Sequence, residues 1–212
     1  MKILCTWMYI VGLLTVGASV SLAASPGECL NEDEVALLDL VDQYRSDNGL
    51  SKVLRSKSLT TVAQWHIVDA VANEDTIFDD PCNLHSWSNS QPGLWSAVCY
   101  TADHKQASGM WSKPREITGG LYSGNGYEIS GWGYISVEAM LAGWQRSYAH
   151  NSVILNQGIW ANHPFKAMGV GVDLESKYFF VWFGEAADSQ GEVYPCDNEA
   201  LADDALFVSD FE

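Results

Sequence analysis

Five histidines, His66, His85, His104, His150 and His163, are the residues of this chain best suited to proton transfer or metal ligation. They sit among nine tryptophans and nine tyrosines, whose rings suit apolar ligands or stacked sugars. The commonest catalytic spacings are missing: there is no HExxH, GxSxG or P-loop, and Gly124-Asn125-Gly126 and Gly169-Val170-Gly171 lack the third glycine of a GxGxxG. No C-x-x-C occurs, so a thiol-redox or zinc-ribbon site has no sequence support. His66 lies on the inward stripe Leu59, Val62, Ala63, His66 and Ala70, where a buried, hydrogen-bonded structural histidine belongs. His104 and His163 stand in polar, loop-like stretches and are expected at the surface.

The elements that must position such groups are legible in part. Asn31 followed by Glu34 forms a capping signal, and Val35, Leu38, Val41 and Tyr44 or Arg45 follow at helical spacing up to Gly49. A second helix is predicted from about Ser58 to Ala72, and a third begins near Ser136 with Val137, Met140, Leu141 and Trp144 inward. Between them, 73–135 reads as a long stretch rich in Gly, Ser, Trp and Tyr, too long for a bare loop and therefore functional, stapled or both. Ala167 to Val172 and Tyr178 to Phe183, separated by Asp173 to Lys177, form a hairpin signal with both faces covered. Helices first and a hairpin last predict an α+β fold, with helices packed on a small antiparallel sheet.

Lys2, the apolar run Ile3 to Val20 and the small residues up to Ala24 have the pattern of a secretory signal peptide cut after Ala23, leaving no transmembrane anchor. The rest, about 190 of the 212 residues, suits one domain at roughly 100–200 residues per domain. Removing Lys2 moves the formal charge from −16 to −17, which disfavours nucleic acid and anionic lipid surfaces as partners. Export leaves Cys29, Cys82, Cys99 and Cys196 in an oxidising compartment, outside the cell or in a periplasm. Loop geometry favours Cys82 with Cys99, leaving Cys29 with Cys196 to join the chain ends. Residues 197–212 hold six acids and no base and read as an acidic tail after a domain spanning 24–196.

Trp144, Ser147 and His150, then Ile154-Leu155-Asn156, Gly169-Val170-Gly171-Val172 and a final aromatic strand ending in Phe183-Gly184 form an ordered set. It resembles the bacterial branch of the CAP superfamily, the SCP-like or cysteine-rich secretory protein domains. Leu37 to Arg45, Asn48-Gly49-Leu50 and Leu59 to His66 look like the first two helices of that family, so the resemblance covers roughly residues 34 to 184. It implies an α-β-α sandwich with an open cleft lined by two His and two Glu, which in several members hold a divalent metal. His85, in His85-Ser86-Trp87, matches the first His; Glu128, in Gly126-Tyr127-Glu128-Ile129, is the nearest match to the first Glu; His150 matches the second His; and Ser147 falls where the second Glu would stand. The resemblance thus places His85, Glu128, Ser147 and His150 in the cleft, with His85, Glu128 and His150 as a possible set for one divalent ion such as zinc. Asp42 replaces the usual Asn of the first helix, and residues 91–124 form an insertion that would shape a lid, a specificity wall or a stapled cap.

Three functions compete. The favoured one is an exported protein that acts by binding rather than catalysis, taking an apolar or amphipathic molecule, or a partner protein, in the cleft. A metal-dependent hydrolase using His85, Glu128 and His150 is the second. A carbohydrate-binding module, with Trp87 or Trp111 as exposed stacking rings, is the third.

Overall fold

A computed structural model describes residues 24–77 and 79–196. The leader and the acidic tail lie outside the described residues. In chain order the elements are α1 (Glu32–Asp47), β1 (Leu54–Arg55), α2 (Lys57–Ala72), α3 (Glu74–Ile77), α4 (Ala107–Trp111), α5 (Lys113–Ile117), β2 (Gly126–Trp132), α6 (Val137–Arg146), α7 (Tyr148–Ile154), a 3-10 turn (Gly158–Asn162), β3 (Ala167–Asp173) and β4 (Tyr178–Gly184).

Helices α1, α2, α6 and α7 begin where a side chain of the sequence accepts from one of their first N–H groups. The Asn31 side chain accepts from Glu34 N while the Glu34 carboxylate accepts from Asn31 N, each at 2.9 Å, which is a complete capping box. Helix α1 ends at Asn48, and Gly49 follows at φ +78°, a conformation that glycine adopts without strain. Ser56 caps α2 by accepting from Leu59 N, and the Asp188 carboxylate accepts from Ser58 N and from the hydroxyls of Ser56 and Ser58.

The sheet order is β1-β3-β4-β2. β3 and β4 form the expected antiparallel hairpin, with Val170 opposite Val181, and β4 pairs antiparallel with β2. The sheet is nevertheless mixed, because the two-residue β1 lies parallel to β3. β2 lies inside the long stretch 73–135 judged too long for a bare loop, as do α4 and α5. Its residues alternate, and Tyr127 and Ile129 face one core while Glu128 and Ser130 face the other side.

Two cores flank the sheet and give the expected α-β-α sandwich. On one face Met168, Val170, Val172, Phe179, Val181 and Phe183 meet residues of α1, α6 and α7. On the other, Tyr178, Phe180 and Trp182 meet Leu59, Val62, Ala63 and Ala70 of α2, together with Trp87, Trp95, Met110 and Tyr122. Both disulfides pair as expected, Cys29 with Cys196 and Cys82 with Cys99. Within 91–124, Trp95, Tyr100, Met110 and Ile117 pack in the second core, and α4 walls the cavity described next.

Arg45 explains why a cation can lie buried on α1. It donates to the carbonyls of Ile154 and Ser51 and to Asn156 Oδ1, and Asn156, at φ +50°, donates to the carbonyls of Trp160 and His163. The Ile154-Leu155-Asn156 motif is therefore a left-handed turn clamped by the first helix. Asp42, buried beside it, accepts from Val53 N and fixes the chain leaving α1.

Candidate functional site

Glu128 is the centre of the site, and its side chain is fully buried. Its Oε2 lies 2.6 Å from His66 Nδ1 and its Oε1 lies 2.7 Å from His85 Nδ1. Burial pushes this carboxyl up, but the charges and hydrogen bonds of His66 and His85 outweigh that and hold it below the usual glutamate value. His66 Nε2 lies 2.9 Å from the Ser86 carbonyl, which can only accept, so Nε2 carries a hydrogen. The His66 ring is held between Trp87 and Phe180, stacked at 4.1 and 4.0 Å.

The loop carrying His85 is built by its neighbours in sequence. Ser86 offers its carbonyl to His66 and its hydroxyl to Tyr100 N, Trp87 pairs by backbone with Val98, and the Cys82–Cys99 disulfide closes the segment. With Nδ1 committed to Glu128, His85 turns Nε2 away from the carboxylate, and Ser130 Oγ stands 3.4 Å from it. A carboxylate behind an imidazole in this way fixes its tautomer and strengthens the outer nitrogen as an acceptor.

His150 approaches from the other side. Trp144 Nε1 donates to the Ser130 carbonyl and ties α6 to β2, and Ser147 both ends α6 and caps α7 by accepting from His150 N. That is the physical content of the Trp144, Ser147, His150 spacing: an anchor, a corner and a residue delivered in the first turn of the next helix. The His150 ring makes no hydrogen bond with another described residue. Burial, and then the neighbouring His85, push its pKa down to about 4.

His85, Glu128 and His150 line one cavity of about 520 Å³. Its walls are Tyr100, Met110, Trp111, Tyr127, Val153 and Trp160, and Tyr148 and Ile159, each about 80% exposed, stand at its rim. Tyr127 contacts Trp111 and Trp160 edge to face at 5.5 and 5.0 Å, making one continuous aromatic wall. Its hydroxyl donates to Glu185, which also accepts from His163.

The expected residues thus divide. His85, Glu128 and His150 meet in the cavity, whereas Ser147 is a helix cap outside its lining. His66 is buried and hydrogen-bonded as expected, but its partner is Glu128, so it belongs to this network. His104 is exposed as expected and still lines the cavity, paired with the Tyr100 hydroxyl. Trp87 is only 2% exposed and stacked on His66, so it offers no ring to a sugar. The wall rings Tyr100, Tyr127 and Trp160 were not singled out by sequence; period-two alternation over 126–132 is the signal that separates Tyr127 from Glu128.

The donor set does not fit a resident divalent metal as drawn. Both Glu128 oxygens are engaged with imidazole nitrogens, which leaves His85 Nε2 and His150 as free donors where three protein ligands are usual. Among the described residues no group of three or more His, Cys, Asp or Glu stands at metal-holding separations.

The His150 shift makes stability depend on pH. In the unfolded chain His150 takes up its proton near pH 6.5, but in the folded chain only near 4, so its contribution is complete above pH 6.5 and is lost as pH falls towards 4. The loss approaches roughly 2–3 kcal/mol after allowing for partial exposure. Thermal unfolding at pH 7.5 and 4.5 measures it, and His150→Gln should remove most of the slope between pH 6.5 and 4.5.

No family model matches the chain, and no curated protein matches it. Solved structures similar to it include a cysteine-rich secretory protein of Staphylococcus aureus subsp. aureus Mu50, at 15% identity over 73% of this chain and 38% of that one, TM-score 0.46. Another is an extracellular protein containing an SCP domain from Bacillus anthracis str. Ames, at 20% identity over 72% of this chain and 40% of that one, TM-score 0.47. The chain spans about two fifths of the length of each. Among the described residues no helix is long and apolar enough to cross a membrane.

Proposed function

We propose that this is an exported, disulfide-stapled ligand-binding domain that takes an apolar or amphipathic small molecule in the cleft of His85, Glu128 and His150. One observation carries the reading: a cavity of about 520 Å³ with an aromatic and aliphatic wall, into which a few polar side chains, His85, Glu128 and His150 with His104 and Ser152, converge. Such a lining, apolar with a few convergent polar groups, is how small-molecule sites orient their ligands. Two disulfides suit an oxidising compartment and agree with export after removal of residues 1–23.

The test is binding of an uncharged fluorescent reporter, N-phenyl-1-naphthylamine, to the mature disulfide-intact protein. Saturable enhancement that is lost in Ala149→Trp, which fills the cavity from the exposed start of α7, supports the cleft. Enhancement that is absent, or unchanged in that variant, overturns it.

A further inference from the structure

We propose, resting on the cleft-binding reading, that the ligand is an organic cation: an alkylammonium or arylalkylammonium whose N–H groups meet His85 Nε2 and whose charge lies against the aromatic wall. The first support is the polarity of the inner end. His85 Nδ1 is held by Glu128, so Nε2 faces the cavity as an acceptor, with the Ser130 hydroxyl 3.4 Å away. A ligand group that donates is therefore matched, and one that only accepts is not.

The second support is charge. Among the described residues no Lys or Arg lines the cavity, so a carboxylate or phosphate head finds no lysine or arginine counter-ion in that lining. The whole chain carries a formal −16, and a concave, low-dielectric site on such a molecule concentrates cations.

The third is the wall itself. Trp111, Tyr127 and Trp160 are joined edge to face, and Tyr100 stands at 5.2 Å from His85. Tyr127 and Tyr100 direct their hydroxyls to Glu185 and His104, so both have their polar ends already paired. Aromatic faces around a desolvated ammonium are a recognised cation site, and Met110 and Ile159 supply apolar surface for the attached chain. An alcohol of the same length would meet the acceptor but gain nothing from the rings or the net charge.

The experiment is isothermal titration of the mature protein at pH 7.5 with octylamine, octan-1-ol and octanoate. Octylamine should bind at least tenfold more tightly than octanol, with octanoate weakest. Raising NaCl from 20 to 300 mM, both on the order of the ionic strengths over which exposed charges become screened, should weaken the amine severalfold and leave the alcohol unchanged. Trp160→Leu should reduce the amine's advantage over the alcohol to less than threefold, and near-UV circular dichroism checks its fold. Equal or tighter binding of octanol or octanoate overturns the cation assignment while leaving cleft binding intact. If none of the three binds and the uncharged reporter also fails, the cleft reading falls with it.

Discussion

Glu128→Ala should cost about 3–5 kcal/mol of folding stability, the range for removing one partner of a buried ionic pair. The carboxylate is the shared partner of two imidazoles, and the less accessible of them cannot turn to water. His66 is completely buried between Trp87 and Phe180, with Nε2 bound to the Ser86 carbonyl. Without Glu128 its Nδ1 faces an empty, dry space, and any charge on that ring has lost its compensation. His85 suffers less, because about a fifth of its side chain is exposed and the cavity can supply water. Urea unfolding should show the midpoint falling with an unchanged slope.

Glu128→Gln separates the hydrogen bonds from the charge. The Ser86 carbonyl fixes the hydrogen of His66 on Nε2, so Nδ1 can present its lone pair to the glutamine amide, while the amide oxygen accepts from His85 Nδ1. Every polar atom keeps a partner, and the loss should stay near about 1 kcal/mol, the scale of one net hydrogen bond. An alanine variant as stable as the parent, or a glutamine variant as damaged as alanine, would contradict the pairing.

How much of this was legible depended on whether local sequence or tertiary contact decided the outcome. The α1 capping box, the α2 stripe and the β3–β4 hairpin are short-range patterns, and each forms where the spacing places it. β2 was hidden because Gly126, Ser130 and Gly131 weaken its strand pattern, and because a strand with Glu128 on one side and Tyr127 on the other needs α2 behind it to make sense of the glutamate. His66 could be recognised as buried, since it shares a stripe with Leu59, Val62 and Ala63, but its partner lies 62 residues away on another element. The cavity was the least legible feature. Its wall is assembled from α4, β2, α7 and the 3-10 turn, and no local periodicity joins Trp111 to Trp160.

Gly169-Val170-Gly171-Val172 shows the opposite case, where a motif noticed by spacing acquires a physical cause, and it supplies the second large effect. The valines point into the core beneath α1, while the glycines face α2. A Cβ on Gly169 would stand 2.1 Å from the Leu59 carbonyl carbon and 2.2 Å from Thr60 N, and one on Gly171 would stand 2.5 Å from the Ala63 carbonyl oxygen. These are backbone atoms of a helix already seated on the sheet, so they cannot swing aside as a side chain could. Gly169→Ala must lift α2, and with it His66, away from β3, at a cost of about 3 kcal/mol or more, the upper end for overpacking. Gly143→Ala on α6 is the control: its Cβ meets only the ring end of Tyr134, a movable side chain, and alanine favours the helix by about 1 kcal/mol. Thermal unfolding should therefore place Gly169→Ala far below the parent and Gly143→Ala close to it, and equal midpoints for the two variants would show that α2 does not rest on the glycine face.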